Sequence, residues 1–168
     1  MTQDEFWALI DRVRKNAPEE PDGKYEVLKA ELGKLPLAGL QSFAKYFGEC
    51  FIRAYTYELW GAAYIIGGGC SDDGFMDFRD TLIMQGKDFF EAAVADPDSL
   101  ADTDYSEDDD INYPFYGGYG TVARKLIEVK GGELPILDWP EKPSGYNWDE
   151  DDLQRLYPKL FAKFEDYS

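Results

Sequence analysis

The residues best suited to chemistry lie in and just before a glycine-rich segment, residues 67–79. Its three consecutive glycines would let a ligand approach the backbone closely, and the carboxylates of Asp72 and Asp73 follow directly. Glu58 lies upstream and could add a third carboxylate, while Arg79 follows the acids at the end of the segment. The sequence therefore offers a ligand-binding site formed by Glu58, Asp72, Asp73 and Arg79.

The same segment also has a purely structural interpretation. Glycines commonly end a helix, and Ser71 followed by two acids is typical of the start of the next one. In that case Arg79 would pair with an internal carboxylate. The segment does not match a phosphate-binding loop, because no Gly-Lys-Ser/Thr follows the glycines and no strand precedes them. Both interpretations of the segment, a ligand-binding site and a junction between two helices, therefore remain.

A second candidate surface combines a dense acidic run, residues 102–110, with the aromatic residues that follow it. Large rings supply contact area and carboxylates attract a cationic partner, so the pair is typical of a protein-binding surface. The alternative is a loop that folds its rings onto the core. The residues assigned to this surface are Asp108, Asp109, Asp110, Tyr113, Phe115 and Tyr116.

The acidic run does not form a calcium loop of the EF-hand type. Asp102, Asp104 and Ser106 match the first, third and fifth ligand positions of such a loop. However, Glu107 stands where glycine is needed for the turn, and Tyr113 stands where a bidentate glutamate is needed. We therefore expect no metal site here.

The absence of histidine limits the catalytic and metal-binding chemistry that the chain can perform. Without it the chain lacks the commonest general base and the imidazole ligands of zinc, copper and iron. The two cysteines, Cys50 and Cys70, are too few for a disulfide framework or a four-thiolate metal site. We expect free thiols and no cofactor. Carboxylate-based catalysis remains open, although no particular pair can be chosen among so many acids.

Net charge restricts the class of partner. Lys and Arg number 17 and Asp and Glu 34, which gives a formal net charge of −17. Such a surface repels phosphate backbones and anionic membranes and attracts basic proteins. The first residues lack the pattern of a signal peptide, and no stretch of about 20 apolar residues occurs. We expect a cytoplasmic protein that binds neither nucleic acid nor membrane.

Helices must position these residues, because nearly every apolar run has a period of 3.6 residues. The pattern predicts an all-α fold, an irregular bundle around one long helix that spans residues 36–66. Gly48 and Gly61 in this helix indicate either close approach by a neighbour or a break. The helix that follows Ser71 is predicted to present Asp77 and Asp80, with Asp73, on a solvated face.

The carboxyl-terminal third has a different composition and is predicted to be rich in loops. A helix is expected over residues 121–130, a proline-rich wrap over the surface at 133–146, and short helices after it. We expect one domain, residues 1–168. Residues 1–101 would form its helical core, and residues 102–168 would pack on that core.

Several short motifs resemble a bacterial family known as domain of unknown function 4240. The combination is more specific than any of its parts, and it spans roughly the first 100 residues. One departure is Asp80-Thr81, where the family suggests a tryptophan shortly after the arginine. The resemblance implies a bacterial, intracellular helical domain and brings no reaction or catalytic residue. The motifs are Phe6-Trp7, Leu-Trp-Gly-Ala-Ala-Tyr-Ile-Ile at 59–66, Gly-Gly-Cys-Ser-Asp-Asp-Gly-Phe at 68–75, Phe78-Arg79, Gln85-Gly86-Lys87 and Asp-Pro-Asp-Ser-Leu-Ala at 96–101.

Two functions follow from these features. The first is a non-enzymatic acidic module that binds a basic protein, of which an immunity protein neutralising a toxin is the most concrete form. The alternative is a small-molecule-binding protein or carboxylate-based enzyme with its site at residues 67–79. The missing histidine and the net charge favour the first, and the compact glycine and acid segment favours the second.

Overall fold

The computed structural model describes residues 1–20, 22–105 and 113–164, and within these ranges the fold is all-α. The same residues contain no strand, only an isolated parallel bridge between Thr56 and Ser144. The helices are α1 (Gln3–Asn16), α2 (Gly23–Gly33), α3 (Leu37–Arg53), α4 (Tyr57–Gly67), α5 (Asp72–Ile83), α6 (Lys87–Ala95), α7 (Tyr119–Val129), α8 (Leu153–Leu156) and α9 (Pro158–Phe164), with short 3-10 helices at Pro97–Asp102 and Glu150–Asp152.

Local signals place the starts of α1 and α5 correctly. The Thr2 hydroxyl accepts the Glu5 amide at 3.2 Å, and the Glu5 carboxylate accepts the Thr2 amide at 2.9 Å, which completes a capping box. At α5 the Ser71 hydroxyl accepts the Gly74 amide at 3.1 Å. Both predicted caps are confirmed.

The long helix predicted over residues 36–66 is wrong, because the chain breaks it into α3 and α4. Thr56 restarts the helix by accepting the Leu59 amide at 3.0 Å. A distant loop satisfies the backbone groups that the break leaves open. The Ser144 carbonyl accepts the Tyr57 amide at 2.9 Å, and the Ser144 amide donates to the Tyr55 carbonyl at 3.1 Å.

Gly48 and Gly61 mark close approaches, as one of the two interpretations predicted. A Cβ at Gly48 would lie 2.3 Å from the Leu137 side chain, and one at Gly61 would lie 2.6 Å from the Tyr157 hydroxyl. Gly48 therefore lets residues 134–139 run against α3, and Gly61 lets the carboxyl-terminal helices reach α4. The break itself occurs between the two glycines.

The core joins the early helices to the late ones. Helix α3 packs against α1, α5 and α7, and α7 also packs against α2. Helices α8 and α9 pack on each other, while α9 also contacts α4 and the 3-10 helix Pro97–Asp102. One cluster of buried side chains extends from Phe6 to Leu160. This arrangement brings α3, α5 and the start of α7 to one face of the bundle.

Replacing Gly61 with alanine should lower the free energy of unfolding, although alanine is the better helix former. The new methyl group would meet the Tyr157 hydroxyl and the Trp148 indole nitrogen, both within 3.0 Å. The matched control is Gly33→Ala, also in a helix, where nothing lies within 4 Å of the new Cβ. Urea unfolding should show a loss for Gly61→Ala and a gain of up to about 1 kcal/mol for Gly33→Ala. A gain at both positions would contradict the close approach.

Candidate functional site

A groove of about 340 Å³ opens where α3, α5 and the start of α7 meet residues 134–139. It combines apolar and aromatic walls with a few polar groups, which is the usual composition of a binding site. The lining residues are Ala44, Phe47, Gly48, Phe51, Met76, Asp77, Asp80, Gly118, Gly120, Thr121, Arg124, Leu134, Pro135, Leu137 and Trp139.

Two carboxylates of α5 form the acidic part of this groove. Asp77 and Asp80 are three residues apart and therefore lie on the same side of the helix. Asp77 is half-buried, whereas Asp80 is only 9% exposed. The prediction that both belong to a solvated face is wrong for Asp80, because the start of α7 packs over its carboxylate.

The Asp80 carboxylate caps α7 from another helix. The Gly120 amide, in the first turn of α7, donates to Asp80 Oδ2 at 3.2 Å. The residue that precedes α7, Gly118, has no side chain to cap the helix, and the first turn of α7 contains no acid. Asp80 thus replaces the serine or aspartate that usually stands at this position, and its negative charge faces the positive end of the helix dipole.

Glycines at this junction let the backbone lie close against the two carboxylates. A Cβ at Gly117 would lie 2.1 Å from Asp77 Oδ1, and one at Gly120 would lie 3.1 Å from Asp80 Oδ1. Gly118 has a φ of 100°, a conformation that favours glycine. The glycine-rich stretch after the acidic run therefore forms a backbone wall against which both acids lie.

Burial dominates the electrostatics of the groove. Desolvation raises the pKa of Asp80 from its usual 3.8 to about 6, the nearby Asp77 charge raises it further, and the amides of Gly120 and Gly118 oppose the rise. Desolvation, and then the neighbouring Asp73, also raise the pKa of Asp77. No described lysine or arginine forms an ion pair with either carboxylate.

Residues 134–139 form the opposite wall. The Gln41 side chain anchors the beginning of this segment by donating to the Glu133 carbonyl at 2.9 Å. Further along, the Trp139 ring meets the Phe51 ring edge to face, with centroids 6.3 Å apart. Trp139 nevertheless leaves 53% of its surface exposed. The wall therefore contributes an exposed aromatic ring to the same groove as the carboxylates.

Arg79 is buried on the other side of α5 and does not line the groove. Its guanidinium lies 3.8 Å from the Phe51 ring centroid and 4.4 Å from that of Tyr55. It donates to the Phe51 carbonyl at 3.0 Å, which is one of the last carbonyls of α3. Desolvation lowers the pKa of Arg79 to about 10. The contacts of Arg79 are aromatic rings and a helix end.

The other residues of the predicted ligand-binding site do not form one cluster and lie outside the groove. The Glu58 carboxylate accepts the Tyr146 amide at 2.8 Å and so fixes the loop that packs on α4. Asp72 and Asp73 are exposed in the first turn of α5. The structure brings Asp77, which lies within residues 67–79, into the groove instead.

Only part of the predicted acidic and aromatic surface lies within the described residues. Asp108, Asp109 and Asp110 are outside them. The Phe115 ring packs on the Phe78 ring with centroids 5.6 Å apart. The Tyr113 ring packs on Phe115 in turn, with centroids 6.0 Å apart.

Tyr116 is held from two sides and contacts the core. Its hydroxyl donates to the Asp22 carboxylate, and its carbonyl accepts the Thr81 hydroxyl at 2.7 Å. Tyr113, Phe115 and Tyr116 are all half-buried. These contacts correspond to the alternative in which the loop folds its rings onto the core.

The described residues offer no group of three or more His, Cys, Asp or Glu side chains that could hold a metal ion. Both cysteines are free thiols, and burial raises the pKa of Cys50 to about 12 and that of Cys70 to about 11. Over the same residues, no helix combines the length and apolar character needed to cross a bilayer.

The fold and the groove define an all-helical protein with a partly buried acidic site. The chain belongs to the family described as protein of unknown function (DUF4240), whose sequence model matches residues 1–128. No curated protein and no solved structure matches the chain. The matched region contains both carboxylates, the glycines that face them and Arg124, and it ends before the wall at 134–139.

Lowering the pH should increase the stability of the wild-type protein relative to that of the Asp80→Asn variant. Because the Asp80 pKa is raised in the folded state, the folded chain binds this proton more tightly than the unfolded chain between pH 4 and 6. Stability from this group therefore increases as the pH falls through that window. Between pH 7 and pH 5 the wild type should gain about 1 kcal/mol over Asp80→Asn in urea unfolding. Parallel pH profiles would contradict the assignment.

Proposed function

We propose that this protein is a non-enzymatic, acidic binding module whose groove face receives a basic protein partner. The observation that carries the proposal is the coincidence of exposed apolar side chains with the carboxylates of the groove. Clustered exposed apolar side chains are typical of contact surfaces, where a partner buries them, and charges placed among them select a partner of opposite charge.

The apolar rim consists of Met76, Leu134 and Trp139, which are 48%, 38% and 53% exposed and all line the groove. Ile136 is 98% exposed and lies in the same wall segment as Leu134 and Trp139. Among the described residues, the large exposed apolar side chains elsewhere are Val129 and Tyr146. Clustering of this kind favours a contact surface over scattered exposure.

The charge of the molecule supports a basic partner. At a formal net charge of −17, long-range attraction would speed the encounter with a cationic protein and oppose encounter with nucleic acid. An immunity protein that neutralises a basic toxin is the most concrete form of such a module. A toxin gene adjacent to the gene for this chain would support that form.

The rim can be tested by replacing Met76 and Leu134 with serine. Both side chains are exposed, so we expect a small effect on stability and at least a tenfold loss of affinity for the partner. The partner would first be captured from the native host on the immobilised protein, then purified for binding kinetics. The control is Val129→Ser, an equally polar change at an exposed position outside the groove. Equal affinity of the rim variant and the control would overturn the proposal.

The acidic run should contribute mainly to the rate of association. Neutralising Asp108, Asp109 and Asp110 to asparagine should slow association with the partner and flatten its dependence on salt, because these charges act before contact. The dissociation rate should change little. Kinetics at two salt concentrations would measure both effects.

The matched control for that variant carries the same change of net charge on exposed acids elsewhere, at Glu19, Glu20 and Asp88. An equal loss of association rate in the control would show that overall charge, and not the acidic run, steers the partner. Tyr116 is unsuitable for this test, because its contacts with Asp22 and Thr81 link its substitution to stability.

One observation favours the alternative of a small-molecule-binding protein or carboxylate-based enzyme. Asp77 lies in the predicted segment, residues 67–79, and shares a groove with Asp80, whose pKa is raised to about 6. A carboxyl group with such a pKa can act as a general acid or base near neutral pH. A metabolite that raises the melting temperature of the wild type and not that of Asp80→Asn would favour this function.

A further inference from the structure

No cationic side chain in the described part of the chain pairs with the acids of the groove. Asp80 is more than nine-tenths buried, and neither it nor Asp77 has a lysine or arginine nitrogen within ion-pair distance among residues 1–20, 22–105 and 113–164. Asp77 also receives no hydrogen bond from these residues. Partly desolvated carboxylates gain free energy when a cation with hydrogen-bond donors reaches them.

The aromatic wall suits the same kind of ligand. One cation already occupies the Phe51 ring, since the Arg79 guanidinium lies 3.8 Å from its centroid. Trp139 lines the groove and remains half exposed, and indole is the strongest aromatic partner for a cation. A ligand could therefore contact the indole and the carboxylates together.

The chemistry of the groove argues against anions and metal ions. The start of α7 would attract an anion, but the Asp80 carboxylate already occupies it through the Gly120 amide. Arg124 is the only cationic side chain among the described lining residues, against two carboxylates. No third metal-ligating side chain joins the pair within the described residues.

We infer that the groove binds the alkylguanidinium or alkylammonium head of an arginine or lysine side chain presented by the partner protein. This inference rests on the proposed function. The cationic head lies between Asp77, Asp80 and the Trp139 indole, and the aliphatic stem packs along Met76 and Leu137 toward the apolar rim. The groove thereby supplies the specificity of the interface, and the rim supplies its area.

The isolated protein can be tested without the partner. The probes are N-acetyl-arginine amide and N-acetyl-lysine amide, each paired with its neutral isostere, N-acetyl-citrulline amide and N-acetyl-norleucine amide. Nuclear magnetic resonance titration should show saturable binding of the charged probes in the millimolar range. The shifts should concentrate at the Trp139 indole and the amides of Gly118 and Gly120. The neutral probes should bind at least tenfold more weakly, because they cannot pair with the carboxylates.

Asp77→Asn should weaken the charged probes about tenfold and leave the neutral ones unchanged. Since Asp80→Asn also changes the cap of α7, Asp77→Asn is the decisive variant, and thermal melts would verify that it is folded. The control is Asp88→Asn, the same substitution at an exposed position on α6, which should bind like the wild type.

Several results would overturn the inference. Equal binding of charged and neutral probes, equal binding by Asp77→Asn and Asp88→Asn, or tighter binding of calcium alone would each do so. Free agmatine binding a hundredfold more tightly than capped arginine would assign the groove to a small amine instead of a protein side chain. If the charged probes fail while the rim variant still loses the partner, this inference falls and the proposed function stands. If the probes bind and the rim variant retains the partner, the proposed function falls and, with it, the assignment of the cation to a partner protein.

Discussion

Two adjacent charged residues of helix α5 contact the ends of two other helices, and the groove depends on this junction. Arg79 donates to a carbonyl in the last turn of α3, and the next residue, Asp80, accepts an amide in the first turn of α7. Each charge faces the helix end of opposite sign, so the helix dipoles favour both contacts. Because adjacent residues of a helix point in different directions, one dipeptide contacts both α3 and α7, which also pack directly against each other.

The groove is a consequence of this junction. Asp80 brings the glycines that begin α7 close to α5, and the lack of side chains at these glycines leaves space beside the carboxylates. Gly48 has the same effect on α3, where it lets Leu137 and Trp139 approach and close the far side. The groove therefore has backbone on two sides and rings and carboxylates on the others. A site built in this way depends on the packing of the helices and not on a flexible loop.

Sequence reasoning succeeded where the stabilising partner is local. The caps at Thr2 and Ser71 lie three residues from the amides they accept, so the pattern is visible in the sequence. It failed where the partner is distant. The break before Thr56 depends on Ser144, and α7 begins at Tyr119, two residues earlier than predicted, with its cap supplied from α5.

The acids of α5 illustrate the same limit. Asp77 and Asp80 have the spacing of a solvated helix face, and only the position of α7 shows that Asp80 is buried. One signal was present in the sequence, because Gly117 and Gly118 precede α7, Gly120 lies in its first turn, and the helix has no cap residue of its own. A helix start without a local cap requires an acceptor from elsewhere. The sequence does not identify that acceptor among its 34 acidic residues.

The fold explains why one carboxylate of the groove, Asp80, is charged, but it does not explain the charge of the other, Asp77. Asp80 has a structural reason for its charge, since an ionised carboxylate is the best acceptor for the start of α7. Asp77 caps no helix and forms no ion pair among the described residues, and it lies beside a second negative charge in a molecule that is already strongly acidic. Repulsion from Asp73 and partial desolvation both disfavour its ionised form. Stability of the isolated chain therefore does not account for an acid at this position, whereas the cationic partner side chain that we propose for the groove would.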